Sequence, residues 1–234
     1  ARADAQQPDH VGHRQRWFLC GQLCHEAGDA ARAGSLAVAI KRITFRHLGP
    51  IRLEAFFTFK PEASELRLSE TDVRTVGVLF DLQDVDRKSN PERLMPHIRY
   101  LNALDGKATS RWQFKRHRAP LRDIGGTGKT RSHFHFANEA WEDIPDGDQI
   151  LCYNEIATKQ NWTYLRLDFD LADMSYLGLQ CNDRRFDLST LEPMHMPAMA
   201  NLWCMLNTVF FVETDCDKRA FLYVDSILLS GEGE

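Results

Sequence analysis

Two neighbouring segments of the chain carry polar side chains suited to binding hydroxyl and carboxylate groups. Alternate residues of a strand point to the same face, so His97 and Arg99 share a face of one predicted strand. Arg111 and Gln113 share a face of the next predicted strand. Arg and Gln present forked hydrogen-bond donors, and if the two strands pair as a hairpin the four side chains form one patch. The pattern predicts a site for an anionic or hydroxyl-rich ligand; the alternative is an ordinary solvated face of an antiparallel sheet.

A second group of candidate residues has the spacing of a metal site. His133 and His135 lie two residues apart, so on a strand both imidazoles could reach one metal ion, and Glu139 could complete a facial triad. The spacing from Gly128 to Gly147 is similar to the first cupin motif, departing by one residue at each end, while the second cupin motif is not present. A divalent metal on His133, His135 and Glu139 is therefore the one cofactor that the sequence suggests. The alternative is two strand histidines facing solvent or a polar groove, where they would extend the ligand-binding patch.

Three carboxylates, those of Asp81, Glu155 and Asp168, are further candidates for acid–base chemistry. Nothing in their spacing brings them together. A His or Tyr base facing an Arg would suit β-elimination of a uronic acid, because the Arg neutralises the carboxylate while the base removes the adjacent proton. No Ser or Cys lies in a nucleophile elbow.

The glycine-rich run 125–130 invites comparison with a phosphate-binding loop. The full pattern needs a glycine five positions before Gly128, where the chain has Asp123. An acid at that position repels phosphate, and an alternating run follows the loop in place of the required helix. We interpret the run as a solvated loop, and nucleotide binding is disfavoured.

Composition narrows the class of protein. The 234 residues are 43% hydrophobic and 26% charged, which is typical of a globular protein with a sizeable core. The formal net charge of −4 gives no overall field that favours nucleic acid or an anionic membrane. No apolar run approaches the roughly 20 residues of a membrane span. We therefore expect neither nucleic acid nor a membrane as partner, and nothing in the sequence indicates an oligomeric state.

The six cysteines bear on the compartment. Four of them lie within apolar or aromatic runs, so we interpret them as buried free thiols of a reducing compartment. This interpretation predicts a cytoplasmic protein. The chain does not begin with Met, so its start is expected to be trimmed or processed.

The pattern of apolar residues predicts an all-β protein. Residues 51–59 alternate strictly between apolar and polar, which indicates a half-buried strand. About eleven short strands of this kind are predicted, including one over 149–156, with a loop over 139–147 and no long amphipathic helix. Short strands punctuated by turns are typical of a two-sheet antiparallel β-sandwich or jelly roll.

Leu206 to Ser230 predicts a closing hairpin. Two arms rich in β-branched and aromatic residues flank a short polar link that contains Asp215 and Asp217. Neither arm alternates cleanly, so both faces of each strand are expected to meet protein inside a two-layer stack.

No linker divides the chain, which predicts one main domain. Residues 1–34 are polar and rich in Ala and Gly, with an apolar group at 17–19. We expect an N-terminal arm, residues 1–34, that docks on a single β-sandwich domain, residues 35–234.

The last third of the chain resembles a known fold family. Residues 161–171 contain Trp162 and an alternating strand, and a tight hairpin leads into residues 176–188; residues 221–230 contain a Tyr-Val-Asp element before an alternating tail. These features resemble concanavalin-like and laminin-G-like jelly-roll domains. The resemblance implies a concanavalin-like jelly roll, and such domains mostly bind or cleave glycans. The paired-carboxylate strand of the related endoglucanase-like hydrolases is absent here.

Together these patterns predict a carbohydrate-binding jelly-roll domain that uses a polar concave sheet face for a hydroxyl-rich or acidic glycan. The ligand-binding residues are predicted to be His97, Arg99, Arg111, Gln113, His133 and His135. The alternative is a carbohydrate-active enzyme: a glycan lyase or hydrolase, or a metal-dependent cupin-like enzyme using His133, His135 and Glu139.

Overall fold

The computed structural model describes residues 15–17, 21–23, 33–44, 48–63, 68–83, 93–116, 122–123, 130–131, 140–199 and 205–231. Within these ranges the chain forms strands and turns and contains no helix. It follows that no described helix is available to cross a membrane.

The strands run in chain order as follows: β1 (Gln15–Trp17), β2 (Gly21–Leu23), β3 (Leu36–Thr44), β4 (Pro50–Pro61), β5 (Val73–Gln83), β6 (Arg93–Met95), β7 (His97–Leu104), β8 (Lys107–Lys115), β9 (Arg122–Asp123), β10 (Thr130–Arg131), β11 (Trp141–Asp148), β12 (Thr163–Asp170), β13 (Ser175–Cys181), β14 (Arg184–Asp187), β15 (Met194–Met196), β16 (Met205–Thr214) and β17 (Ala220–Gly231).

These strands build two antiparallel sheets and one small ribbon. The larger sheet has the order β11-β8-β7-β5-β16-β3; β6 also pairs with β5, and β15 pairs with β6. The smaller sheet has the order β1-β17-β4-β12-β13-β14, and β2 also pairs with β17. Strands β9 and β10 pair only with each other among the described strands. The predicted all-β, two-sheet antiparallel sandwich is confirmed.

The inner faces of the two sheets form the core. In β4, the strictly alternating residues Ile51, Leu53, Ala55 and Phe57 are buried. They belong to the same apolar cluster as residues from the larger sheet, such as Trp112. The two-residue period of the sequence therefore separates an inner apolar face from an outer face in each sheet.

The expectation of buried free thiols is only partly met by the described cysteines. Cys181 is buried in this core and Cys216 is half-buried, but Cys152 is exposed. All three are free cysteines.

The predicted hairpin over 206–230 is wrong. Strand β16 pairs with β3 and β5 in the larger sheet, whereas β17 pairs with β4, β1 and β2 in the smaller one. The polar link between them therefore crosses from one layer to the other. Two apolar arms around a polar link fit either arrangement, because a sandwich core can cover a strand face as well as a paired neighbour can.

Two predicted elements between residues 139 and 156, a loop and the strand after it, are also wrong. The predicted loop over 139–147 contains β11, an edge strand that pairs only with β8 among the described strands. Pro145 and Gly147 made this segment look like a loop, because both residue types are typical of turns. Proline is nevertheless tolerated in a strand at the edge of a sheet. The predicted strand over 149–156 is irregular instead. Its Gln149 accepts a hydrogen bond from Trp112 Nε1 (2.8 Å) and donates one to the carbonyl of Cys181 (3.0 Å), so this segment bridges the layers.

Candidate functional site

The predicted pairing of β7 with β8 is present. Arg99 lies opposite Gln113, and Leu101 lies opposite Arg111. A two-residue turn joins the strands at Asp105 and Gly106, where both residues have positive φ (52° and 73°). This is the backbone that Asp-Gly favours in tight hairpins.

The hairpin places the four predicted residues on the outer face of the larger sheet. Their neighbours Ile98, Tyr100 and Trp112 point into the core, so the alternate positions face outward. The outward-facing residues are His97, Arg99, Arg111 and Gln113. Their role in ligand binding remains a prediction.

A chain of hydrogen bonds runs along this face across three strands. Arg99 Nε donates to Gln113 Oε1 (2.8 Å), and Gln113 Nε2 donates to Asp143 Oδ1 (2.7 Å). Arg111 donates to the second carboxylate oxygen of Asp143 (2.6 Å). The chain ends at an accessible edge, because Arg99 is only 6% exposed whereas the Asp143 side chain is 49% exposed.

Trp141 lies at the centre of the site, although the sequence did not single it out. Its ring has the Arg99 guanidinium carbon 4.1 Å from its centroid and the Lys115 ammonium 5.2 Å away. The His97 ring meets it edge-on with centroids 5.9 Å apart. We call Trp141, Arg99, Lys115, His97 and Gln113 the Trp141 cluster. Cations over an indole face are attracted by its π-electron density, by about 0.5–2 kcal/mol each.

The backbone before Trp141 is in an unusual conformation. Ala140 has φ of +64°, in the left-handed region that residues with a Cβ seldom adopt. Its carbonyl accepts a hydrogen bond from the amide of Arg116 (3.3 Å), at the end of β8. This connection fixes the start of β11, where Trp141 pairs with Lys115.

Apolar residues border the cluster on its other side. The Phe211 ring lies 6.4 Å from that of Trp141 and packs with the buried Leu79 and Val209. The ring passes directly over Gly77, where a Cβ would lie 2.6 Å from Phe211 Cε1 and 2.6 Å from the carbonyl oxygen of Ile98. Only glycine fits at this position, so Gly77 allows Phe211 to approach Trp141.

Burial governs the electrostatics of Arg99. The pKa of Arg99 is lowered to about 10, chiefly by desolvation and also by the neighbouring Arg74 cation, while Glu213 and Asp143 act in the opposite direction. The guanidinium is still charged at neutral pH. Its hydrogen-bond partner among the described residues is the neutral amide of Gln113.

The second predicted group cannot be placed, because His133, His135 and Glu139 lie outside the described residues. The described ranges contain no group of three metal-binding side chains.

The three predicted carboxylates are held in separate ion pairs. Asp81 accepts from Arg93 (2.8 and 3.0 Å), and Glu155 accepts from Lys159 (2.6 Å). Asp168 accepts from Arg52 (2.8 Å). Basic partners hold all three carboxylates.

Comparison with known proteins gives the family. The family model described as "Domain of unknown function (DUF6772)" matches residues 24–233. The chain belongs to this family. A search of curated proteins found no match.

Solved structures with similar folds are lectin-like domains and glycan-processing enzymes. The Emp47p carbohydrate recognition domain is 10% identical, with 95% of this chain and 88% of that chain covered and a TM-score of 0.43. Alginate lyase Aly36B in complex with alginate trisaccharide is 12% identical, with 91% and 80% covered and a TM-score of 0.41. A legume lectin-like domain from Entamoeba histolytica is 9% identical, with 87% and 82% covered and a TM-score of 0.41. These are the jelly-roll proteins that the sequence resembles; at these scores the likeness carries no argument about a ligand.

Proposed function

We propose that this domain binds a carbohydrate on the outer face of the larger sheet, against the Trp141 cluster. The observation that carries the proposal is the half-buried Trp141 ring, which has the Arg99 and Lys115 cations against it. Sugars present apolar C–H faces and hydroxyl edges. An indole packs against the first, and forked polar groups bind the second.

The polar edge beside Trp141 supplies groups for hydroxyls. Asp143 and Arg111 are both partly exposed and already share one hydrogen bond, so their orientations are fixed before a ligand arrives. Groups held in place in this way lose little conformational freedom on binding.

A glycan lyase is the second candidate, and His97 is the residue that favours it. Its Nδ1 lies 2.5 Å from the carbonyl oxygen of Met95, so this nitrogen carries the proton in the neutral ring. An oriented imidazole next to Arg99 is a combination that β-elimination of a uronic acid requires. His97 is completely buried in this structure, so the role also requires that its ring become accessible to the substrate. Formation of the unsaturated-uronate absorbance band on incubation with acidic glycans tests this role, and its absence across a broad panel would exclude it.

Binding is tested with a glycan array and a thermal-shift sugar screen on the wild type and Trp141→Ala. We expect at least one glycan to bind and to raise the melting temperature, and Trp141→Ala to lose about 10-fold or more in affinity, as expected when a central aromatic contact worth ~2 kcal/mol is removed. Trp162→Ala is the matched control, because Trp162 is exposed just before strand β12 of the smaller sheet. A binding constant unchanged in Trp141→Ala, or lowered equally in Trp162→Ala, would show that the site lies elsewhere.

A further inference from the structure

The geometry around Arg99 points to a narrower ligand class: we infer that Arg99 receives a carboxylate, so that the glycan bound at the Trp141 cluster contains uronic acid. This inference rests on the proposed function and specifies its ligand. Within the described ranges, Arg99 has unused hydrogen-bond donors and no bonded counter-charge, and its guanidinium is held in a fixed orientation.

Arg99 has donors without acceptors. Its Nε donates to Gln113 Oε1, but within the described part of the chain neither Nη1 nor Nη2 donates a hydrogen bond. Some polar atoms of the protein are fully enclosed and have no hydrogen-bond partner, but Nη1 and Nη2 of Arg99 do not belong to them. As far as the described residues show, these two nitrogens are therefore not completely enclosed. The residue is 6% exposed, so we infer that this terminal edge of the guanidinium is where solvent, or a ligand, reaches an otherwise buried side chain.

Among the described residues, Arg99 also has no directly bonded counter-charge. The two carboxylates that influence it electrostatically, Asp143 and Glu213, are hydrogen-bonded to other donors. Asp143 accepts from Gln113 and Arg111, and Glu213 accepts from Arg74 at 3.0 Å. A buried cation without a bonded anion is costly, and the lowered pKa of Arg99 reflects the same burial. An incoming carboxylate would supply the missing charge.

The orientation of the guanidinium suits a planar anion. The Gln113 bond holds one edge, and the Trp141 ring lies 4.1 Å from its central carbon. The opposite edge then presents two parallel N–H groups, the geometry that binds both oxygens of a carboxylate. Lys115, 5.2 Å from the same ring, adds positive charge nearby. A sugar ring attached to this carboxylate would lie beside the indole.

Paired ligands that differ only in the carboxylate provide the test. Calorimetry would compare oligomers of glucuronate, galacturonate and mannuronate, each beside its carboxyl-reduced neutral counterpart and a sulfated neutral oligomer. The proteins are the wild type, Arg99→Met, Arg99→Lys and Arg52→Met. Arg52 is the control because it is a half-exposed arginine on the outer face of the smaller sheet. Arg99→Lys keeps the charge without the fork and serves as the test if Arg99→Met does not fold.

We expect at least one uronate oligomer to bind the wild type about 10- to 100-fold more tightly than its reduced counterpart, as for a charge-assisted pair worth about 1.5–3 kcal/mol. Arg99→Met should bring this ratio close to one, Arg99→Lys should reduce it severalfold, and Arg52→Met should leave it unchanged. The preference for the uronate oligomer over its reduced counterpart should also become smaller as salt is added.

The failures are distinguishable. Equal affinity for acidic and reduced oligomers, a preference for the sulfated oligomer, or a ratio unaffected by Arg99→Met and Arg99→Lys overturns the carboxylate inference and leaves carbohydrate binding intact. No binding of any oligomer by the folded wild type, acidic or neutral, counts against both.

Discussion

The two outer faces of the sandwich differ in how one arginine on each is paired. On the smaller sheet, Asp168 accepts from Arg52 (2.8 Å) and from Arg166 (2.6 Å), so these charges neutralise each other at a partly exposed surface. On the larger sheet, Arg99 is buried and hydrogen-bonded to a neutral amide. The first arrangement is complete without a ligand, whereas in the second, as far as the described ranges show, the two terminal nitrogens of Arg99 donate to no acceptor. Unsatisfied charge, more than the amount of charge, distinguishes the candidate site.

The aromatic residues of the two faces follow the same division. On the smaller sheet, Phe56 is 44% exposed and lies 5.5 Å from Tyr164, whose hydroxyl donates to Glu54 (2.6 Å). Burial is the largest cause that raises the pKa of Tyr164 to about 12, and the hydrogen bond and negative charge of Glu54 act in the same direction. The Tyr164 hydroxyl therefore stays neutral across the physiological range. Trp141 has cations against its ring instead. An exposed aromatic pair with satisfied polar groups is an ordinary surface feature.

The largest expected effect is on the free energy of unfolding, and it compares one glycine from each sheet. Gly77→Ala should destabilise the fold by about 2–3 kcal/mol, because the new Cβ would overlap the Phe211 ring and the Ile98 carbonyl. The matched change in the smaller sheet is Gly178→Ala, where the nearest atom is the Phe186 carbonyl oxygen at 3.5 Å, and it should cost less than about 1 kcal/mol. Urea unfolding measures both. Equal losses would mean that Phe211 moves freely away from Gly77.

A smaller effect concerns the amide that links Arg99 to Asp143. Gln113→Leu keeps the approximate volume but leaves the Arg99 Nε without its acceptor, so we expect a loss of about 1–3 kcal/mol in unfolding free energy. Gln180→Leu on the smaller sheet is the control. Its exposed amide donates to the Asn182 carbonyl (2.8 Å), so the loss should stay within about 0.5 kcal/mol. If both variants are equally stable, the hydrogen-bonded chain does not hold the larger sheet's face together.

The smallest expected effect concerns the ion pairs that Asp168 forms on the smaller sheet. Arg52→Ala leaves Asp168 with Arg166, and both arginines are partly exposed, so the cost should be about 0.5 kcal/mol. Because salt screens exposed charges, this difference should shrink as sodium chloride is raised towards about 1 M. Unfolding curves at low and high salt provide the measurement. A cost above about 2 kcal/mol that persists in salt would show that the smaller sheet also depends on a desolvated charge.

The sequence predicted the parts of the site that depend on local chemistry. Alternation predicted that Arg99 and Gln113 would share one face if β7 and β8 paired, and the two strands do pair. The complete burial of His97 was not predictable, because a two-residue period shows which side chains share a face and not what covers that face.

The errors arose where local chemistry and tertiary pairing diverge. Trp141 was missed because Pro145 and Gly147 made its strand look like a loop, and the alternation of Trp141 with Asp143 was the one signal available. The hairpin over 206–230 failed because strand pairing across two layers depends on distant segments. These are the residues where tertiary contacts override local preference.

The crossing between β16 and β17 has a consequence for biosynthesis. Strands β3 and β4 are made before most of the domain, yet their partners β16 and β17 are the last two of the described strands. The nascent chain must therefore keep unpaired strand edges away from one another until translation has passed Gly231, and neither layer can close before then. Neither sheet of this domain can therefore be completed until its last strand has been synthesised.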